Sequence, residues 1–114
     1  MSWGLLNKEG GKYYTWSGQE VQNENVAMRP GNIMTRTELL PWDKCTKEQE
    51  TKLKDICKWL VDQGIEPSQF CGHDECAVPS GRKCDPGGSL SFTMSELRAF
   101  LNDHKQLAKD EILA

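Results

Sequence analysis

Hydrophobic residues fall at helical spacing in two stretches of this chain. In the first, Leu53, Ile56, Cys57, Leu60 and Val61 recur every three or four positions and so share one helix face. Thr46 and Gln49 fit a capping box, in which each side chain accepts the other's backbone N–H. Gly64 fits a C-terminal cap. This pattern predicts a helix over about 46–63. In the second stretch Met94, Leu97, Phe100, Leu101 and Leu107 share a face, and Thr93 with Glu96 repeats the capping box. A helix over about 94–108 is predicted there, and the tail AKDEILA either continues it or frays.

The rest of the chain is less regular. Tyr13, Tyr14, Thr15 and Trp16 are strand formers, so residues 3–6 and 12–16 are expected to pair as a hairpin around the Lys8–Gly11 turn. Residues 17–44 read as mostly irregular, with a turn at Arg29-Pro30-Gly31-Asn32. So long a loop is often functional or partner-bound; the plainer reading is a surface loop packed by Trp42 and Leu39. A short strand over 68–71 would lead into His73. Trp59 and Met28 read as packing residues. The expected fold class is α/β: one domain over 1–114, with a short N-terminal hairpin, two main helices and long irregular loops.

Composition sets limits. The chain has 114 residues, of which 37% are hydrophobic and 27% charged, enough for a packed but small core. Its net charge is −3, and no basic patch runs along it, which argues against nucleic-acid binding. No apolar run is long enough to cross a membrane. The start MSWGLLNKEGG lacks the features of a signal peptide. Five cysteines, an odd number, argue against a complete disulfide framework, and reduced thiols in a cytoplasm are expected.

Candidate chemistry concentrates in FCGHDECAVPSGRKCDPGG, residues 70–88. His73 and Asp85 stand twelve positions apart on a Gly- and Pro-rich segment, with Lys83 two positions before the aspartate. A zinc hydrolase needs such parts: an imidazole, a hard anionic oxygen and a cation beside a developing oxyanion. Two other readings stand beside it. His73 and Asp85 are ordinary surface residues, or Cys71, His73, Cys76 and Cys84 make a closed structural zinc site. Cys57 reads as a small core residue, Cys45 as a bystander before a helix, and His104 as a solvent-facing helix residue.

GHDE followed by GRKCDPG resembles the C-terminal metal segment of the N-acetylmuramoyl-L-alanine amidase type 2 family, the peptidoglycan amidases of bacteria and phages. The upstream WDKCTKEQETKLKDICKWLVDQGIEPSQF resembles the family helix leading into that histidine. GGKYYTWSGQEV resembles the segment after its central strand, and FTMSELRAFL its closing helix. The similarity runs from about Gly4 to Leu101.

The resemblance implies that His73 and Asp85 are zinc ligands and that Lys83 stabilises the tetrahedral intermediate. Cys84 stands where the family has Thr or Ser, and since some relatives use cysteine as the third ligand it rivals Asp85. The segment between His73 and Asp85 is about two residues longer than the family pattern. The implied fold is the C-terminal part of a mixed-sheet zinc amidase. The family's first zinc histidine and its acid/base glutamate would precede Met1, so two protein ligands match where a catalytic zinc usually has three.

The surface so uncovered is expected to be capped by a second copy or another chain. Two functions follow from the resemblance: a peptidoglycan amidase of the phage endolysin kind, completed by another chain and acting on the cell wall, or an inactive, phage-derived amidase fragment reused as a protein-binding or inhibitory protein.

Overall fold

A computed structural model describes residues 4–30, 39–78 and 85–113. They form two compact units, Met1–Cys45 with Gly72–Ser91, and Thr46–Cys71 with Phe92–Ala114. The architecture is mixed α/β, and the described strands pair only antiparallel, in two small sheets.

The first unit carries both sheets. Strands β1 (Asn7–Glu9), β2 (Lys12–Tyr14) and β3 (Glu20–Val21) form a meander in which Glu9 faces Lys12 and Tyr13 faces Val21. Between β1 and β2 stand Gly10 and Gly11, with φ of +58° and +79°. A two-residue hairpin loop that matches the strand twist needs positive φ at both positions, which glycine adopts without steric cost. The hairpin expected from the sequence is therefore present, with its first strand at 7–9 rather than 3–6. Thr15 and Trp16 leave the strand for a turn in which Gly18 N–H donates to the Thr15 carbonyl at 3.0 Å.

The segment expected to be irregular contains a second ribbon. Strand β4 (Val26–Pro30) pairs with β5 (Leu39–Asp43), in register from Val26 with Asp43 to Pro30 with Leu39. The expectation failed because Pro30, Pro41 and the neighbouring Asn and Gly residues read as turn punctuation. In the ribbon, Pro30 sits at the end of its strand, where a missing donor costs least. Leu5 adds a bridge to Trp42. Leu6, Ala27, Trp42, Cys45 and Leu90 are the buried hydrophobics of this unit. Cys45 is thus a buried packing residue rather than a bystander. Leu39 and Met28, expected to pack, are exposed.

The second unit is a helix pair. Helix α1 (Lys47–Asp62) starts on the predicted capping box: Gln49 N–H donates to Thr46 Oγ1 at 3.1 Å, and Thr46 N–H to Gln49 Oε1 at 2.8 Å. Gly64, at φ +106°, follows its end in the left-handed region that a helix stop favours. In sequence between the two long helices of this unit, the chain makes the one-turn helix α2 (His73–Cys76), which belongs to the first unit. Helix α3 (Met94–Leu113) starts on the Thr93–Glu96 box, with bonds of 3.0 and 3.1 Å, and runs past the predicted end at 108.

Cys57 and Val61 of α1 pack with Leu97 and Leu101 of α3, and Leu53, Phe70, Phe92, Met94 and Phe100 close around them. Burial pushes the Cys57 thiol above its ordinary pKa. Lys54 Nζ lies 4.5 Å from the Phe92 ring centre and 5.1 Å from that of Phe100, within cation–π range. Polar contacts span the pair: His104 Nε2 to Asp62 Oδ1 at 2.8 Å, and Lys105 Nζ donating to Glu66 Oε2 at 2.5 Å. His104 therefore contacts Asp62 through a ring nitrogen and is not simply solvent-facing.

Other expectations for this unit are corrected. Ile56, Trp59 and Leu107 are exposed, so the apolar stripes are wider than the surface the unit buries. The strand expected over 68–71 is a 3-10 turn at Pro67–Gln69. Pro67 has fixed φ and no donor, and the Gln69 side chain accepts Glu66 N–H at 2.8 Å, both of which favour a tight turn. No described helix is long and apolar enough to cross a membrane.

Two outcomes test this packing. Leu101→Ala removes a side chain with no exposed surface and is expected to cost about 2–5 kcal/mol in chemical denaturation, whereas Ile56→Ala, at an exposed position, stays within about 0.5 kcal/mol. Equal losses would mean that Leu101 is not central to the core. Glu66 is held below its ordinary pKa of 4.5, first by the hydrogen bond from Lys105 and then by that residue's charge. A carboxylate with a depressed folded pKa stabilises above its unfolded value and loses that contribution as pH falls through the folded one. Wild type is therefore expected to exceed Glu66→Gln in unfolding free energy above pH 4.5, with the difference vanishing on acidification and shrinking in high salt.

Candidate functional site

His73 opens helix α2, where the chain turns sharply after Gly72. Gly72 N–H donates to Glu75 Oε1 at 2.9 Å, and Ala77 N–H to the His73 carbonyl at 3.1 Å. These bonds close a single helical turn that fixes the His73 backbone. Asp85 begins the described segment that follows, joined to Pro86 by a cis peptide and continuing into a 3-10 turn at Gly87–Ser89. The two segments are tied directly: Asp74 N–H donates to the Asp85 carbonyl at 2.8 Å.

The β4–β5 ribbon holds the Asp85 segment from the other side. A Cβ on Gly87 would fall 2.3 Å from the Trp42 ring, and one on Gly88 would fall 2.4 Å from it. Only glycine lets the backbone lie this close to the indole. Gly87 also has φ +45°, which a side chain would strain. Trp42 itself is fully buried, and its Nε1–H donates to the Arg29 carbonyl at 2.8 Å. The Arg29 guanidinium donates through Nη1 to the Gly88 carbonyl at 2.9 Å, and Cys45 N–H donates to the Ser89 carbonyl at 3.0 Å.

This frame brings His73 Nδ1 to 3.3 Å from Asp85 Oδ2. The side chains are 49% and 42% exposed, so the pair opens to solvent. A charge-assisted hydrogen bond closes to about 2.7–2.9 Å. Zinc bonds of about 2.0–2.2 Å at a tetrahedral angle set a nitrogen and an oxygen ligand about 3.3–3.5 Å apart. The observed separation is within hydrogen-bonding distance, so it suits a direct His73–Asp85 contact as well as two adjacent ligand positions. Among the described residues, no group of three or more His, Cys, Asp and Glu side chains comes together. Lys83 and Cys84 lie outside the described residues.

Cys71 and Cys76 are each disulfide-bonded, while Cys45 and Cys57 are not. The expectation of reduced thiols throughout is therefore corrected at two positions. An oxidised cysteine offers no thiolate, so Cys71 and Cys76 as they stand here do not serve the alternative closed zinc site with His73 and Cys84.

Asp74 is the residue whose part the spacing argument missed. Its Oδ1 is buried, with no hydrogen-bond partner among the described residues. Loss of hydration raises its carboxyl above the ordinary value, the neighbouring Glu75 adds to this, and backbone N–H bonds from Glu75 and Gly87 oppose it. Its only sequence signal was its place beside His73 in GHDE. Trp42 and Arg29 were missed because their link to Asp85 spans more than forty residues of chain.

No family model, curated protein or solved structure matches this chain.

The contact of Trp42 with Gly87 and Gly88 makes a direct test. Gly88→Ala forces a methyl group into the indole and is expected to cost about 1–3 kcal/mol by chemical denaturation. A variant as stable as wild type would show that the ring does not press on this segment.

Proposed function

We propose that the chain is a peptidoglycan amidase-like protein whose His73 and Asp85 hold a zinc ion, acting on the amide between N-acetylmuramic acid and L-alanine. The observation that carries this reading is the 3.3 Å separation of His73 Nδ1 and Asp85 Oδ2, at the two positions where GHDE and DPG match the family's ligands. A bound zinc supplies Lewis acidity, polarising the amide carbonyl and making water more acidic. His73 contributes a neutral imidazole and Asp85 a hard, anionic oxygen. Lys83, by its match to the family lysine, stabilises negative charge on the carbonyl oxygen. Cys84 is the rival donor to Asp85. The remaining histidine and the acid/base glutamate of the family match no position here, and the proposal assigns them to a second chain.

A second reading, a non-catalytic protein-binding or inhibitory protein descended from such an enzyme, is favoured by two observations. Among the described residues only two matched donors come together, and Ile56, Trp59 and Leu107 remain exposed on the helices of the second unit.

Zinc titration of the metal-free protein and an assay on cell-wall suspensions, scored by newly released amino groups, test both readings. Zinc is expected to bind wild type at one site. His73→Ala and Asp85→Ala are expected to weaken it at least tenfold while remaining folded. Binding unchanged by His73→Ala, or no binding by wild type, overturns the ligand assignment. Zinc binding without wall cleavage, alone or with a partner chain, selects the second reading.

A further inference from the structure

We propose that a disulfide between Cys71 and Cys76 is a redox-sensitive latch on helix α2, and that its reduction loosens the turn that presents His73 to Asp85. The chain has five cysteines, of which Cys71 and Cys76 are each disulfide-bonded while Cys45 and Cys57 are not. A cysteine forms one disulfide at a time, so a bond from Cys84 to either residue would leave the other with nothing to bond. Cys71 and Cys76 are therefore bonded to each other. The bridge closes a short ring of consecutive residues, Cys71 to Cys76, with His73 inside it. The latch is a property of the chain without metal and does not rest on His73 being a zinc ligand.

Helix α2 needs such a bridge. It is four residues long. Its turn is made by Glu75 N–H and Cys76 N–H donating to the Gly72 carbonyl at 3.0 and 3.2 Å, and Ala77 N–H donating to that of His73 at 3.1 Å. A single helical turn fixes several dihedral angles for few hydrogen bonds and is unfavourable by itself. Inside the ring only Gly72 is buried, and it has no side chain, so apolar burial does not hold the turn shut. The bond from Asp74 N–H to the Asp85 carbonyl ties the turn at one point. A covalent bridge across its two ends restricts the open chain and so favours the closed turn.

The same exposure makes the latch openable. Cys71 and Cys76 are both exposed, whereas Cys45 and Cys57 are buried. Thiol–disulfide exchange needs access of a thiolate to a sulfur, and exposed bridges are the labile ones. The thiolate of a thiol or dithiol reductant attacks one sulfur, forming a mixed disulfide and releasing the other cysteine as a thiolate, which takes up a proton. A second reductant thiol displaces the first cysteine in the same way. One S–S bond of the protein is broken, one forms in the oxidised reductant, and two protons end on Cys71 and Cys76. His73 then stands on an unbridged turn, and its ring meets Asp85 for a smaller share of the time.

The test uses NMR on metal-free protein in four states: wild type oxidised, reduced with dithiothreitol and reoxidised, and the double variant Cys71→Ser with Cys76→Ser. Amide exchange at Ala77 reports the turn, and amides of α1 and α3 report the rest of the fold. On reduction Ala77 is expected to exchange about tenfold or more faster, with α1 and α3 unchanged and reoxidation restoring it. The double variant is expected to match the reduced state and to ignore dithiothreitol. Asp85→Asn is expected to shift the His73 ring resonances in oxidised protein and to shift them less in reduced protein. A bridge that dithiothreitol does not open in folded protein, an Ala77 amide unaffected by its opening, or an equal effect of Asp85→Asn in both states overturns the proposal. Loss of protection throughout α1 and α3 also overturns it, since the bridge would then hold the whole fold. None of these readouts needs zinc, so failure of the latch and failure of the ligand reading are told apart.

Discussion

The arrangement of His73 and Asp85 depends on the burial of one indole ring. Trp42 is the largest fully buried side chain among the described residues, and it lies in β5, opposite Ala27 in the ribbon and bridged to Leu5. Its ring leaves room for a backbone and nothing more at Gly87 and Gly88. Close packing of this kind transmits position without needing a large apolar core, because a dense interior does not yield to small displacements. Its Nε1–H bond to Arg29, and the Arg29 bond to Gly88, turn the packing into a closed circuit. The turn carrying Asp85 inherits its position from this circuit.

The two units use different physics. The helix pair is held by a contiguous hydrophobic cluster and by caps of the kind that sequence patterns announce. The sheet unit buries few large side chains and relies on hydrogen bonds between segments far apart in the chain. The candidate site lies in the second kind of unit. Donor atoms that must stay half exposed cannot be fixed by burying them, so they are fixed by holding the backbone behind them. The glycines, the tryptophan and the backbone bond from Asp74 N–H to the Asp85 carbonyl serve that end.

The chemistry is bounded by the donor count. On the proposed reading, one imidazole nitrogen and one carboxylate oxygen would supply half of a tetrahedral shell. Such a pair is open by construction, which suits a site that must admit a substrate or receive donors from elsewhere. The disulfide state of Cys71 and Cys76 takes two alternative thiolates out of this competition. What remains for the described residues is a nitrogen–oxygen pair, the hard end of zinc's ligand range.

The helices were legible in the sequence, since a capping box and a 3.6-residue stripe are local features with local causes. Thr46, Gln49, Thr93 and Glu96 make their predicted bonds because each pair lies within one turn. The Gly10–Gly11 turn was nearly legible for the same reason. The extent of burial along the stripes was not. Ile56 and Trp59 follow the helical period as well as Cys57 does, and only the packing of α1 against α3 decides which of them meets a partner. The β4–β5 ribbon was hidden because its pairing joins residues up to seventeen apart, and its prolines argue locally for turns. His73 and Asp85 could be named as candidates from residue type and motif. Their 3.3 Å approach, and the contacts of Asp74, Arg29 and Trp42 with the Asp85 segment, belong to the tertiary structure, because they join positions far apart in the chain that no local pattern relates.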